Sequence, residues 1–235
     1  MQVSLLAATP DPESVAAAAI NSCYSAKSGA ELKESLPEKK RQKLINIVLA
    51  GGHLSTLEHV SFTFAITGLT RACTHQLVRH RIASFSQQSQ RYVAFKAREF
   101  PYTIPPKIFA DSQLKQKFQQ EMQKLGQLYA EFLAAGIPAE DARAILPNAT
   151  CSNLVVTMNA RSLLNFLELR LCLRAQAEIR QVAQAMLKLV LPLAPNIFRA
   201  AGPTCEIQKI CWEGKLSCGK WRSIPDAEVR SRVET

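Results

Sequence analysis

Residues 79–92, RHRIASFSQQSQRY, set Arg79, His80 and Arg81 side by side, add Arg91 near the end, and contain no acid. Three consecutive cations cannot share one face of a helix or a strand. Their repulsion is relieved when an anion sits among them. Between them, Ser86, Gln87, Gln88, Ser89 and Gln90 supply neutral donors and acceptors. A guanidinium fork grips phosphate, while amides and hydroxyls read the carbonyl and imino groups of a ring. The chemistry that fits is recognition of a ligand with both phosphate and a heterocycle; a solvated loop, basic by chance, is the alternative. The wider stretch favours the ligand: from His59 to Arg98 there is no Asp or Glu, while Arg71, Arg79, Arg81, Arg91, Lys96 and Arg98 all occur.

The elements that must position these groups belong to a chain of 235 residues with 47% hydrophobic content. That is enough for one sizeable core, so one domain is expected. The net charge of +10 favours anionic partners such as nucleic acid, anionic lipid or phosphorylated small molecules. No apolar run is long enough to span a membrane, and VAAAAI near the start lacks the basic leader and cleavage site of a secretory signal. A cytoplasmic protein without membrane partners is expected. Seven scattered cysteines fit reduced thiols better than a disulfide framework.

VSLLAA reads as a strand and DPESVAAAAINSCY as a helix with Pro12 in its first turn. A charged helix around PEKKRQKLINIVLAGGH ends at Gly51 and Gly52, and HVSFTFAI alternates as a half-buried strand. TRACTHQLVRHR suits a helix running into the cationic segment, which itself reads as an extended loop or edge strand. Leu114 to Ala135 is a packing helix with Asp111 or Ser112 as cap and Gly136 as stop; PAEDARAIL is a shorter helix and SNLVVTMN a strand. From Arg161 to about Leu191 the spacing predicts one helix, ended by Pro192. Helices and strands mix without regular alternation, which favours α+β over a doubly wound sheet.

Arg-His-Arg, seven residues and then Ser89-Gln90-Arg91 resembles the signature of the flavin-dependent thymidylate synthases. GHLSTLEHVSFTF upstream, and ARAILPNAT and NARSLLNFLELR...RAQAEIR downstream, are similar in type and order. The resemblance implies a domain over residues 1–200 with an irregular, cysteine-containing tail over 201–235. It implies a homotetrameric α+β enzyme with a small curved sheet and active sites where subunits meet. The reaction implied methylates dUMP to dTMP, with methylenetetrahydrofolate as carbon donor and FAD reduced by NADPH as hydride source. By matching motif, Ser55, Arg79, His80, Arg81, Gln87, Asn159, Arg161 and Asn165 would bind FAD. Gln76, Arg79, Gln87, Ser89, Gln90, Arg91, Arg143 and Arg170 would surround the nucleotide, and His53 resembles a position beside the flavin and folate. Many relatives have Asn and Glu where this chain has Ser86 and Gln87, so a carboxylate role is not implied there.

Helical spacing puts Arg161 and Asn165 on one face and Arg170 about 140° further round. Carbon 5 of uracil is a poor nucleophile, sharpened either by thiolate attack on the neighbouring carbon or by a fixed cation that stabilises the deprotonated ring. No Cys lies in the cationic stretch after Cys73. The cation route is therefore expected, with Arg170 as catalytic residue and Ser89 as hydrogen-bond donor rather than nucleophile. No GxGxxG is present, so FAD is held otherwise than on a dinucleotide fold.

His53, His59, His75 and His80 cluster in sequence without metal-ligand spacing, and no metal is expected there. Cys205, Cys211 and Cys218 lack tight paired spacing and are read as free thiols, with Cys172 a fourth ligand only if the tail folds back. The rival class is a basic RNA- or single-strand-binding module. It is disfavoured because only Phe85, Tyr92 and Phe95 interleave with the cations, so no nucleic-acid partner is expected.

Overall fold

Alternation of apolar and polar residues builds a four-stranded antiparallel sheet, in the order β1-β2-β4-β3. The computed structural model describes residues 1–95 and 99–224; Lys96, Arg98 and the last eleven positions of the predicted tail lie outside the described residues. β1 is Gln2–Ala8, β2 is Ser61–Thr70, β3 is Ser84–Gln87 and β4 is Cys151–Asn159. The predicted inward set is fully buried, Val60 just before β2 and Phe62, Phe64 and Ile66 within it, and β4 buries Leu154, Val156 and Met158 in alternation. Gly68 adopts φ +74° inside β2, with Met1 Cα 3.5 Å from the place a Cβ would occupy, so the strand needs glycine at this kink.

The chain forms two compact units: residues 1–3 with 65–156, and residues 4–64 with 157–235. β1, β2 and β4 each begin in one unit and end in the other.

The first unit contains α4 (Arg71–Leu77), α5 (Pro106–Phe109), α6 (Ser112–Ala134) and α7 (Ala139–Ala142). Asp111 caps α6 by accepting from the N–H groups of Gln113 and Leu114, and Gly136 (φ +82°) follows its end. α6 buries Met122 and Tyr129, and a chain of ring contacts runs from Tyr129 through Phe95, Phe100 and Tyr102 to Phe118. α4 is shorter than predicted. It ends at Leu77, and the Arg79 and His80 N–H groups close a turn on Gln76 and Leu77, where the three crowded cations leave the helix. PAEDARAIL likewise yields only the four-residue α7 and a 3-10 turn at Arg143–Ile145.

The second unit contains α1 (Pro12–Ser22), α2 (Gly29–Ser35), α3 (Glu38–Gly51), α8 (Ala160–Arg170), α9 (Ala177–Val190), α10 (Pro195–Phe198) and α11 (Thr204–Gln208). Pro12 starts α1, and Gly52 in the left-handed region (φ +72°) ends α3. Glu13 accepts from both the backbone and the side chain of Asn196 at 2.6 Å, tying α1 to α10. Phe62 meets Phe198 edge to face at 5.5 Å. The helix predicted from Arg161 to Leu191 is instead two helices. Between them Arg180 Nη1 donates to the carbonyls of Leu173 (2.8 Å) and Ala175 (3.4 Å), groups that an unbroken helix would bond internally. Among the described residues no helix is long and apolar enough to cross a membrane.

Candidate active site

In the first unit, the Thr70 hydroxyl caps α4 by accepting from the Cys73 N–H at 3.1 Å. The Arg71 and Ala72 N–H groups donate to Thr150 (2.9 Å) and Asn148 (3.0 Å), fixing where α4 begins. Gln76 lies on this helix, and Arg79, His80 and Arg81 follow it. Arg79 and Arg81 are exposed, and neither is paired with an acid among the described residues. An open pair of guanidinium groups with no counter-ion suits a phosphate-bearing ligand.

β3 carries Gln87 at the sheet edge. Its Nε2 donates to Ser152 Oγ (2.9 Å) and Thr74 Oγ1 (3.2 Å), both buried. The amide is thereby held in one orientation, between α4 and β4. A Glu here would present acceptors only, so Gln87 suits these two hydroxyl acceptors without reorganisation. Replacing Ser152 with Ala is expected to cost about 0.5–1.5 kcal/mol in stability and to weaken ligand binding up to about tenfold, through loss of this orientation. Thermal melting and ligand titration of Ser152→Ala check this; unchanged ligand affinity would leave Gln87 without a positioned role.

The loop after β3 brings in Ser89, Gln90 and Arg91. Ser89 Oγ accepts from the Arg91 N–H at 3.2 Å, and no His, Asp or Glu side chain bonds it among the described residues. That environment holds a hydroxyl without activating it. Gln90 Nε2 is buried with no hydrogen-bond partner among the described residues, a donor whose desolvation a ligand acceptor would repay. Arg91 Nε pairs with Glu140, and Arg143 Nε donates to the Glu140 carbonyl at 3.0 Å. Both arginines are thus anchored at Nε, with no hydrogen-bond partner for their terminal nitrogens among the described residues, and the Arg91 guanidinium lies over the Tyr92 ring at 5.4 Å. Arg91 and Glu140 remain 53% and 43% exposed, so the pair adds only about 0–1 kcal/mol and acts chiefly to orient Arg91.

The second unit positions the remaining candidates. Asn159 caps α8, its Oδ1 accepting from the Ser162 N–H at 2.8 Å, so only its amino group stays available to a ligand. Arg161 Nη1 bonds Glu58 Oε1 at 2.6 Å, joining α8 to the 3-10 helix Leu54–His59 that carries Ser55. Asn165 and Ser55 are exposed, and Arg170 is half-buried at the last position of α8. His53 is exposed and stands over Gly51, where a Cβ would come within 3.1 Å of His53 Cδ2.

The structure therefore gathers Gln87 with Thr74 and Ser152, gathers Arg91 with Arg143, and sets Arg161, Asn165 and Arg170 on one helix. Glu58, Glu140, Thr74 and Ser152 were missed in the sequence. Glu58 is the last acid before the acid-free stretch, a signal that was available; two buried hydroxyls carry none.

The chain matches the family described as Thymidylate synthase complementing protein over residues 4–196. It is 48% identical over 220 residues to a flavin-dependent thymidylate synthase of Geobacter sulfurreducens, covering 94% of each chain. It is 44% identical over 236 residues to one of Clostridium tetani, again covering 94% of each. A crystal structure of flavin dependent thymidylate synthase ThyX from Helicobacter pylori, complexed with FAD and dUMP, superposes with a TM-score of 0.70 at 25% identity, covering 86% of this chain and all of that one. The ordered motifs around Arg79 to Arg91, the α+β sheet and these likenesses agree, and the chain belongs to the flavin-dependent thymidylate synthase family.

Proposed function

We propose that this chain methylates dUMP to dTMP, with FAD as cofactor and with methylenetetrahydrofolate and NADPH as co-substrates. The observation that carries the reading is the acid-free cationic segment. Arg79 and Arg81 are exposed with no acidic partner among the described residues, and the same stretch of sequence supplies a buried amide donor on Gln90 and a positioned Gln87. This donor set fits a ligand with phosphates and a ring, and the related Helicobacter pylori protein holds FAD and dUMP together.

In this reading Arg79, His80 and Arg81 bind FAD, with Ser55, Gln87, Asn159, Arg161 and Asn165 contributing from other elements and His53 beside the flavin and folate. FAD, once reduced, supplies the hydride that completes the methyl group. Gln76, Arg79, Gln87, Ser89, Gln90, Arg91 and Arg143 orient the nucleotide, the arginines by charge and the amides by hydrogen bonds. Arg170 stabilises negative charge on the pyrimidine, so that carbon 5 attacks the folate methylene. A homotetramer whose active sites form where subunits meet accounts for residues spread along the whole chain. Folding in the cytoplasm, where nucleotide and folate are supplied, completes the proposal.

The test is direct. The purified protein is expected to be yellow and to convert dUMP to dTMP when given methylenetetrahydrofolate and NADPH. Colourless protein that neither binds added FAD nor forms dTMP would overturn the reading. Ser89→Ala is expected to cost about 0.5–1.5 kcal/mol in nucleotide binding and to leave turnover slowed but measurable. Complete loss of product formation with nucleotide binding intact would make Ser89 a nucleophile.

A further inference from the structure

Between Leu167 and Ile179 no side chain is buried within the chain, and Arg170 lies in this stretch. α8 is seated by Leu163, Phe166 and Leu167, and α9 by Ile179, Val182, Ala183 and Met186, all fully buried. The residues that lead from Arg170 into α9 therefore have no apolar anchor of their own. Hydrogen bonds must set their position. The Leu171 N–H donates to the Leu167 carbonyl at 2.9 Å and the Ala175 N–H to the Cys172 carbonyl at 3.0 Å, bonds that shape the turn without tying it to α9.

Arg180 supplies that tie. Its Nη1 donates to the Leu173 carbonyl at 2.8 Å and to the Ala175 carbonyl at 3.4 Å. The Arg180 backbone is itself fixed, since its N–H donates to the Gln176 carbonyl at 3.1 Å and the residue before it, Ile179, is fully buried. One charged donor on a seated helix thus grips two carbonyls of an unseated turn. Such charge-assisted bonds are stronger than neutral ones. Arg174 in the same turn also pairs with Glu213, but those side chains are 43% and 38% exposed, and an ion pair so open to solvent contributes little. Arg180 is the stronger of these two holds.

The position of Arg180 on α9 does not serve α9. It is the fourth residue of that helix, in the first turn, where the positive end of the helix dipole disfavours a cation and favours an acid such as Glu178. Toward α8 the sign reverses. The last carbonyls of a helix lack intrahelical partners and gather partial negative charge, which a guanidinium offsets. Helix ends fray unless the exit is held, and Arg170 is the last residue of α8, three before the Leu173 carbonyl that Arg180 grips.

We propose that Arg180 is a positioning residue for the methyl transfer: by gripping the Leu173 and Ala175 carbonyls it holds the end of α8, and with it Arg170, in the place where charge develops on the pyrimidine. The inference rests on the role proposed above for Arg170. Arg180 touches neither nucleotide nor flavin in this account and acts only through the backbone that carries Arg170. A displacement of about 1 Å caused by a residue remote from the chemistry costs up to about a hundredfold in rate, so loss of this grip is expected to be visible in turnover.

The test uses the full-length protein loaded with FAD and reads two single-turnover rates, reduction of the flavin by NADPH and its reoxidation by saturating dUMP with methylenetetrahydrofolate. Arg180→Ala is expected to slow reoxidation about ten- to hundredfold and to leave reduction near the parent rate. Arg180→Lys should recover part of the loss, because an ammonium still donates to carbonyls. In the Arg170→Ala background, Arg180→Ala should slow reoxidation little further, since a residue that acts through another adds nothing once that other is gone. Should Arg180→Ala fail to fold, Arg180→Gln, too short to reach both carbonyls, is read by the same two rates. A lowered melting temperature with normal reoxidation would make Arg180 a stabilising contact only and overturn the proposal. Equal slowing by Arg180→Ala with and without Arg170 would also overturn it, because the effect would then not pass through Arg170. Normal reoxidation in Arg170→Ala alone would overturn the role of Arg170 and this inference with it, whereas a slow Arg170→Ala beside a normal Arg180→Ala would overturn this inference and leave that role standing.

Discussion

Arg170→Ala is expected to lower kcat by about 10²–10³ while leaving flavin reduction by NADPH near the parent rate. The first figure is what loss of one preorganised donor to a developing anion typically costs. The second follows because reduction of the cofactor needs no charge on the pyrimidine. Arg170 closes α8 half-buried, where partial desolvation strengthens its field relative to an arginine in open water. If it served only to grip substrate phosphate, the variant would bind dUMP weakly and react normally at saturation. Two single-turnover rates decide the matter: reduction of the bound flavin, and its reoxidation by nucleotide with methylenetetrahydrofolate. A normal reoxidation rate at saturating dUMP would remove Arg170 from the chemical step. Arg170→Lys should recover part of the loss, because an ammonium keeps the charge but not the two-pronged geometry.

Arg79→Ala and Arg81→Ala are expected to lose flavin. Each removes a charge-assisted contact worth about 1.5–3 kcal/mol, about ten- to hundredfold in affinity. Because both side chains are exposed and unpaired with acids among the described residues, neither replacement strands a buried partner, and folding should be unaffected. The two variants should therefore melt, free of cofactor, at the parent temperature. Raising ionic strength should weaken FAD binding to the parent more than to either variant, since a charge contact is screened and its absence is not. Parent-like FAD affinity in both variants would show that the cluster serves another ligand.

The strands were legible because a sheet with one buried face writes its register into the sequence: Phe62, Phe64 and Ile66 alternate, and all three are buried. The glycine after α6 was equally plain, and of the two caps the sequence offered, Asp111 and Ser112, the structure uses Asp111. The break between α8 and α9 was not, because no glycine or proline marks residues 171–176; it rests on Arg180, a side chain bonding carbonyls across several residues. α2 was missed although its signature is present, Ser28 and Glu31 forming a reciprocal capping box ahead of a single buried Leu32. At the candidate site, residue types announced the cations and amides, since charge density is a local property. Their supports, Glu58, Glu140, Thr74 and Ser152, come from segments distant along the chain and become visible only when the fold places them.

α8 is also a ruler. Arg161 stands at its second position and Arg170 at its last, nine residues apart on one uninterrupted helix, which sets about 13–14 Å between their backbones at 1.5 Å per residue. Neither end can drift relative to the other while the helix is intact, so the spacing between the groups they serve is a constant of the backbone. One residue inserted after Asn165 would lengthen the helix by about 1.5 Å and swing Arg170 through about 100°. Such a chain can keep its melting temperature and its cap at Asn159 and still lose the reaction, because what has changed is phase rather than composition.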